Sequence, residues 1–142
     1  MRVLVDTNII LDYLLEREPY EKPAKRIIEA CQKKQVFGCI AAHSVTNIFF
    51  ILRKAFSIQE RREVLLNLCK LFDVEGIDIY KLQNALRNEQ FQDFEDCLQM
   101  ECAKKFHADY IVTRNPGDFK YSSIKCIEPE RFCELLNSNG MS

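Results

Sequence analysis

Apolar and polar positions along the chain switch between two periods, and each switch marks the edge of an element. Val3, Leu4 and Val5 form an unbroken apolar run rich in β-branched residues, the pattern of a strand buried on both faces of a parallel sheet. The run stops at Asp6. A charged residue is almost never fully buried without a partner. Asp6 is therefore expected at the strand's carboxyl end, the edge at which open α/β sheets bind ligands. It also has a plainer reading as part of a helix start, since Asp, Thr and Asn all cap helices. Thr7 or Asn8 can then cap a helix beginning near Ile9.

Ile9, Ile10, Tyr13 and Leu14 recur at helical spacing, and Glu18-Pro19 ends that helix because the residue before proline avoids the α region. Residues 22–34 form a second helix, with Ala24, Ile27, Ile28 and Cys31 inward and Lys25, Arg26, Lys33 and Lys34 outward. A short strand over 36–40 is interrupted by Gly38. The helix opening at His43 or Ser44 carries Val45, Ile48, Phe49, Ile51 and Leu52 nearly all round, which predicts a core helix. Ser57 and Glu60 make a capping box for the next one. Its inner face is Val64, Leu65, Leu68, Cys69 and Phe72, with Arg61 and Arg62 outside.

A third strand is expected over 74–77. Asp78 caps a helix containing Leu82, Ala85 and Leu86, and 88–92 reads as a polar loop. A long helix over 93–106 follows, with Phe94, Cys97, Leu98, Cys102 and Phe106 as its core stripe. Residues 110–113 repeat the pattern of the first strand, 114–118 form a turn by composition, and 124–127 form a last strand. Pro129 opens a closing helix with Phe132 and Leu135. Strands alternating with helices predict a three-layer α/β/α sandwich around a mostly parallel sheet. Scarce glycine and proline leave no linker, so residues 1–142 read as one domain.

Composition narrows the class. At 47% hydrophobic and 29% charged residues the chain is ordinary for a globular protein, and no stretch approaches the ~20 apolar residues of a membrane span. The amino terminus enters a strand with no basic region leading into it, unlike a signal peptide, so a cytoplasmic protein with no membrane partner is expected. The net charge of −1 excludes binding to nucleic acid by bulk charge and requires local basic patches instead. Seven cysteines contain no C-x-x-C pair, which removes the metal-ribbon and thioredoxin readings. They read as small buried hydrophobes.

Three acidic features stand in comparable places. Asp6 ends the first strand, Asp93 and Asp96 open the long late helix at i, i+3 on one face, and Asp118 follows the strand over 110–113. All strands of a parallel sheet end at one edge, so neighbouring strands bring Asp6 and Asp118 together, and a helix start at that edge adds Asp96. Packed carboxylates repel and raise each other's pKa; a hard divalent cation relieves this, and Mg²⁺ binds such oxygens while keeping several waters. It can then activate water for attack on a phosphodiester. Each acid also has an ordinary role: Asp93 as a helix cap, Asp96 as a first-turn acid favoured by the macrodipole, Asp118 as a turn residue. Glu16, Glu18, Glu29 and Glu101 read as solvated.

Val3-Leu4-Val5-Asp6-Thr7-Asn8, Asp93-Phe94-Glu95-Asp96-Cys97-Leu98-Gln99 and Ala108 to Phe119, with Ser44-Val45-Thr46-Asn47-Ile48-Phe49 between them, resemble in order and spacing the motifs of the PIN-domain ribonucleases, which include the VapC-type toxins. The resemblance covers nearly the whole chain. It implies metal-dependent cleavage of RNA at an acidic Mg²⁺ or Mn²⁺ site, with Asp6, Asp96 and Asp118 as the catalytic and metal-binding acids. Asn8, Thr113 and Asn115 match supporting positions. Many members carry a glutamate where this chain has Asn47, which offers a carbonyl oxygen but no charge. That departure implies weaker metal binding, which Asp93 compensates if it faces inward as a further ligand. The resemblance also implies an antitoxin partner and a homodimer.

RNA phosphates would be met by Arg114, beside the acidic turn, and by Arg53 and Lys54, with Arg61, Arg62, Lys104 and Lys105 as further candidates. The rival reading is a non-catalytic RNA-binding or protein-interaction module on the same scaffold, favoured by Asn47. A phosphatase with an aspartyl-phosphate intermediate wants D-x-D after the first strand, and Asp6-Thr7-Asn8 lacks it.

Overall fold

Val3 and Val5 pack on one side of a five-stranded sheet and Leu4 on the other, so the first strand is covered on both faces as its apolar run requires. This computed structural model describes residues 1–139. The strands are β1 (Arg2–Val5), β2 (Phe37–Ala41), β3 (Asp73–Glu75), β4 (Tyr110–Val112) and β5 (Cys126–Ile127). Their order is β3-β2-β1-β4-β5, and every pairing is parallel. The helices are α1 (Thr7–Leu14), α2 (Glu21–Gln32), α3 (Ala42–Ile51), α4 (Ile58–Leu71), α5 (Ile79–Arg87), α6 (Phe94–Lys105) and α7 (Pro129–Ser138).

One core, beneath Val3 and Val5, receives Ile9 and Ile10 of α1, Ile27 of α2, Ile48 of α3, Leu65 and Leu68 of α4, and Phe132 and Leu136 of α7. The other, beneath Leu4, Cys39 and Ile111, receives Ala85 of α5 and the buried run of α6 from Cys97 to Ala103. Helices therefore cover both faces, and the architecture is the three-layer α/β/α sandwich read from the sequence. No helix of the described residues is long and apolar enough to cross a membrane.

Several local readings hold. Ser57 and Glu60 close a reciprocal capping box on α4, Asp78 caps α5 and Asp93 caps α6 through their side chains, and Pro129 stands at the start of α7. Gly38 lies where β2 passes under its neighbours: a Cβ there would meet Cys31 Sγ at 2.8 Å and the Phe72 ring at 2.9 Å.

Others are corrected. α3 is not a core helix all round: it buries Ser44 and Ile48, while Phe50 is 61% and Ile51 39% exposed. Only one of its faces meets α1, α4 and β2. Phe94, expected inward, is exposed, as is Cys69, while Cys31, Cys39, Cys97 and Cys102 are buried. Glu101, expected in solvent, is buried between Asn84 Nδ2 at 3.1 Å and Lys104 Nζ at 3.4 Å. Since α6 is enclosed along most of its length, it has no fully solvated face on which Glu101 could sit.

Candidate active site

The chain runs outward from β1 through β2 to β3, then returns to add β4 and β5 on the other side of β1. The strand order thus reverses between β1 and β4, and the crevice at the carboxyl ends of that pair is where doubly wound sheets bind ligands. Asp6 follows β1 and Thr113 follows β4.

Asp6 occupies the N-cap position of α1, yet its side chain makes no cap. It turns instead into the crevice, 5% exposed. Oδ1 accepts a hydrogen bond from Gln99 Nε2 at 3.0 Å, and Oδ2 accepts one from the Thr113 hydroxyl at 2.7 Å. The Thr113 oxygen in turn accepts the backbone N–H of Asn115 at 3.1 Å. Thr113 is fully buried; Asn115 supports the site through its backbone. Helix α1 starts at Thr7, so neither Thr7 nor Asn8 is its cap; the Thr7 hydroxyl donates to Ser44 Oγ at 2.6 Å.

Helix α6 delivers the next acids. Asp93 caps it by accepting the Asp96 N–H at 2.9 Å, and first-turn carboxylates suit the positive end of the helix. The Asp96 carboxyl is pushed up to about 7, first by burial and then by the negative charges of Asp93, Asp6 and Asp118. A hydrogen bond from the Gln99 side chain works the other way. Four acids from three separate stretches therefore share one field, with Asp96 raised by the other three.

Two hollows adjoin here. One, of 340 Å³, is lined by Asp6, Asn8, His43, Asn47, Phe50, Asp93, Glu95, Asp96 and Gln99. The other, of 470 Å³, is lined by Gln90 to Asp93, Asp96, Gly117, Asp118, Lys120 and Tyr121. Asp93 and Asp96 belong to both and form the wall between them. Asp118, exposed in a short 3₁₀ turn (Pro116–Phe119), lines the second hollow and not the first, in which Asp6 lies.

Three residues of the crevice were absent from the sequence-based site. Gln99 lies three positions beyond Asp96, a spacing that puts both on one helical face and was the available signal. Glu95 accepts from Asn47 Nδ2 at 3.2 Å, so an acid does stand beside the asparagine that lacks one. His43 meets the Glu95 carbonyl through Nε2 at 3.0 Å, which assigns the proton to Nε2. Burial lowers its pKa despite the nearby acids Glu95 and Asp93. Nothing in the sequence spacing pointed to it.

The basic candidates divide. Arg114 is committed elsewhere: Nε and Nη2 grip Asp12 at 2.6 and 3.0 Å, and its guanidinium lies 4.0 Å from the centre of the Tyr20 ring. Asp12 is buried, which explains why the fork turns inward to neutralise it. Arg61 is held by the Phe49 carbonyl and ring, and Lys104 by Glu101. Arg53 and Lys54 are exposed and follow Phe50 and Ile51, which line the first hollow; Arg53 donates to the Phe50 carbonyl at 2.9 Å and stacks 3.7 Å from the Phe50 ring centre.

The donor set suits a hard cation: oxygen atoms only, carboxylates whose mutual repulsion a positive ion relieves, and a field strong enough to hold Asp96 half-protonated near neutrality. Among the described residues, no three His, Cys, Asp or Glu side chains are gathered closely enough to enclose a metal by themselves.

Comparison with known proteins agrees with this geometry. FitAcB from Neisseria gonorrhoeae superposes with a TM-score of 0.67 at 16% identity, covering 90% of this chain and 98% of that one. A toxin–antitoxin complex from Klebsiella pneumoniae gives 0.66 at 24% identity, covering 89% and 97%. The Mycobacterium tuberculosis toxin VapC20, described as cleaving the sarcin-ricin loop, gives 0.66 at 15% identity, covering 86% and 95%. At these identities the likeness is one of fold. No curated protein matches in sequence. A model of the PIN domain matches residues 2–116, more than half of the chain, and the protein belongs to the PIN-domain family.

Proposed function

We propose that this chain is a metal-dependent endoribonuclease that hydrolyses RNA phosphodiester bonds, and that it is the toxin of a toxin–antitoxin pair. The observation that carries the reading is the convergence of Asp6, Asp93 and Asp96 in the crevice where the strand order reverses, with Asp118 close enough to act on Asp96. Structural neighbours described as a toxin–antitoxin complex and as a toxin cleaving the sarcin-ricin loop support it. The chain acts as one domain in the cytoplasm, as a homodimer, with RNA as substrate and an antitoxin as partner.

A bound Mg²⁺ or Mn²⁺ supplies the Lewis acidity that lowers the pKa of water and stabilises the charge gathering on the phosphate. Asp6 and Asp96 would hold it, with Asp93 and Asp118 adding negative field. Thr113 and Gln99 fix the Asp6 carboxylate in one orientation by donating to opposite oxygens. Asp96, held near neutrality by its acidic neighbours, would be drawn to its ionised form by a cation, which offsets the repulsion that raises it. Arg53 and Lys54 meet the phosphates that enter the first hollow, setting affinity without sequence choice. Asn8 and Asn47 offer amide groups at the same wall.

The test is RNA cleavage in Mg²⁺ or Mn²⁺ by the wild type, Asp6→Asn and Asp96→Asn. Loss of cleavage in both variants supports the reading; equal activity in all three refutes it. A second reading, a PIN-like module that binds RNA or protein without cutting, draws on the pairing of Asn47 with Glu95, which leaves no acid at position 47. It predicts RNA binding indifferent to metal and no cleavage.

A further inference from the structure

We infer that Gln99 is a positioning residue of this crevice, its amide fixing the Asp6 carboxylate beside Asp96 ready for a cation, a role that rests on the nuclease reading above. Gln99 is 3% exposed, on the face of α6 that looks onto the end of β1. Its Nε2 donates to Asp6 Oδ1 at 3.0 Å, and Asp96 stands three positions before it on the same face of α6. Both neighbours are carboxylates, which accept and do not donate when ionised. Turning the amide over would set its oxygen against their lone pairs, so the N–H side is committed to the acids.

The consequence falls on the other end of the amide. Gln99 Oε1 is buried and has no hydrogen-bond partner among the described residues. An unpaired buried acceptor carries a desolvation penalty that no contact repays. A buried position on a central helix chosen for stability alone would hold an apolar side chain of the same size. The amide is worth its penalty only if aligning two repelling carboxylates matters, and that alignment is what a cation requires: groups that hydrogen-bond metal ligands orient them, and their loss weakens binding.

The test replaces Gln99 by methionine in the full chain, with shape kept and both polar atoms removed. Thermal melting, Mn²⁺ titration by calorimetry and cleavage kinetics are read together. The expected result is a melting temperature equal to or above wild type, Mn²⁺ affinity weaker by about 10- to 100-fold, and a fall in kcat with KM for RNA unchanged. A Mn²⁺ affinity within about twofold of wild type, where a tenfold change would correspond to ~1.4 kcal/mol, overturns the role while leaving the nuclease reading intact. A wild type that neither binds Mn²⁺ nor cleaves RNA overturns both. If Gln99→Met does not fold, Gln99→Leu takes its place, and unfolding of both assigns Gln99 to structure and overturns the proposal.

Discussion

The Thr113 hydroxyl donates to Asp6 Oδ2 at 2.7 Å, joining residues 107 positions apart. This bond spans the two strands between which the sheet reverses, so it ties the geometry of the crevice to the register of β1 against β4. Thr113→Val keeps the shape and removes the donor. A hydrogen bond to a charged group is worth ~1.5–3 kcal/mol, and loss of a partner that orients a metal ligand costs about 10- to 100-fold in activity. RNA cleavage should fall by that factor in Thr113→Val and return in Thr113→Ser, which retains the hydroxyl. Full activity in the valine variant would show that Asp6 needs no such restraint.

Asp96 gives the fold a pH dependence with a definite sign. Its carboxyl titrates near 7 in the folded protein, well above the ordinary value of 3.8. Between those values the folded chain binds more protons than the unfolded one, so this group makes stability fall as pH rises from about 4 to 7. Above 7 the ionised carboxylate is a full burden. Asp96→Asn should flatten that fall and raise metal-free stability at pH 8 by about 1–2 kcal/mol, a figure held below the full linkage value because the carboxyl is partly solvated. Mn²⁺ should stabilise the wild type at pH 8 by ~2.7 kcal/mol at a hundred times its Kd, and Asp96→Asn much less. Urea melts at pH 5 and pH 8, with and without Mn²⁺, provide the measurement.

How far the sequence foretold this arrangement varied with how local each signal was. Ser57–Glu60, Asp78 and Asp93 declare helix starts within four residues, and all three appear as read. Val3–Val5 declares a two-sided strand in three. That the Asp6 side chain leaves the cap is not legible locally, because its direction depends on Gln99 and Thr113, which only the fold brings to it. Arg114 was read as a phosphate contact because its buried partner, Asp12, lies a hundred positions away and carries no sign of burial in its own neighbourhood. α3 misled for the opposite reason: apolar residues around its whole circumference fit a core helix, but α3 is covered on one side only, leaving Phe50 and Ile51 in solvent.

The Asp12–Arg114 pair should behave as structure rather than as an RNA contact. Removing one partner of a buried pair costs ~3–5 kcal/mol; partial exposure of Arg114, and Arg17 standing 3.6 Å from Asp12 as a second cation, put Asp12→Ala and Arg114→Ala at the lower end. Arg114→Lys should also destabilise, since an ammonium cannot form the two-pronged contact. RNA affinity measured against salt separates the roles. Arg53→Ala and Lys54→Ala should each reduce the slope of log K on log salt by about 0.7. Folded Arg114→Lys should leave it unchanged.

Gly38 sets a limit on the packing of β2 against α2 and α4. A methyl group there would stand 2.8 Å from Cys31 Sγ and 2.9 Å from the Phe72 ring, and overpacking of this kind costs ~1–3 kcal/mol. Gly38→Ala should lower the melting temperature, and Cys31→Ala in the same chain should restore part of the loss by removing the sulfur that the methyl meets. An unchanged melt in the single variant would mean that the Phe72 ring yields freely.

Asn47 and Glu95 offer the sharpest test of what the missing acid does. Asn47 Nδ2 donates to Glu95 Oε2 at 3.2 Å, so Asn47→Glu exchanges a hydrogen bond for two facing carboxylates beside Asp93 and Asp96. Without metal this should destabilise, by ~0.5–1 kcal/mol in a partly solvated site. With metal the added charge should invert the effect, tightening Mn²⁺ binding by about tenfold, equivalent to ~1.4 kcal/mol, and raising cleavage at limiting Mn²⁺. Glu95→Gln should shift Mn²⁺ affinity the other way by removing the one carboxylate that lies against Asn47. Calorimetric titration of the three proteins decides it: affinities in the order Asn47→Glu, wild type, Glu95→Gln make Glu95 the acid that stands in for position 47, while three equal values place both residues outside the ion's field.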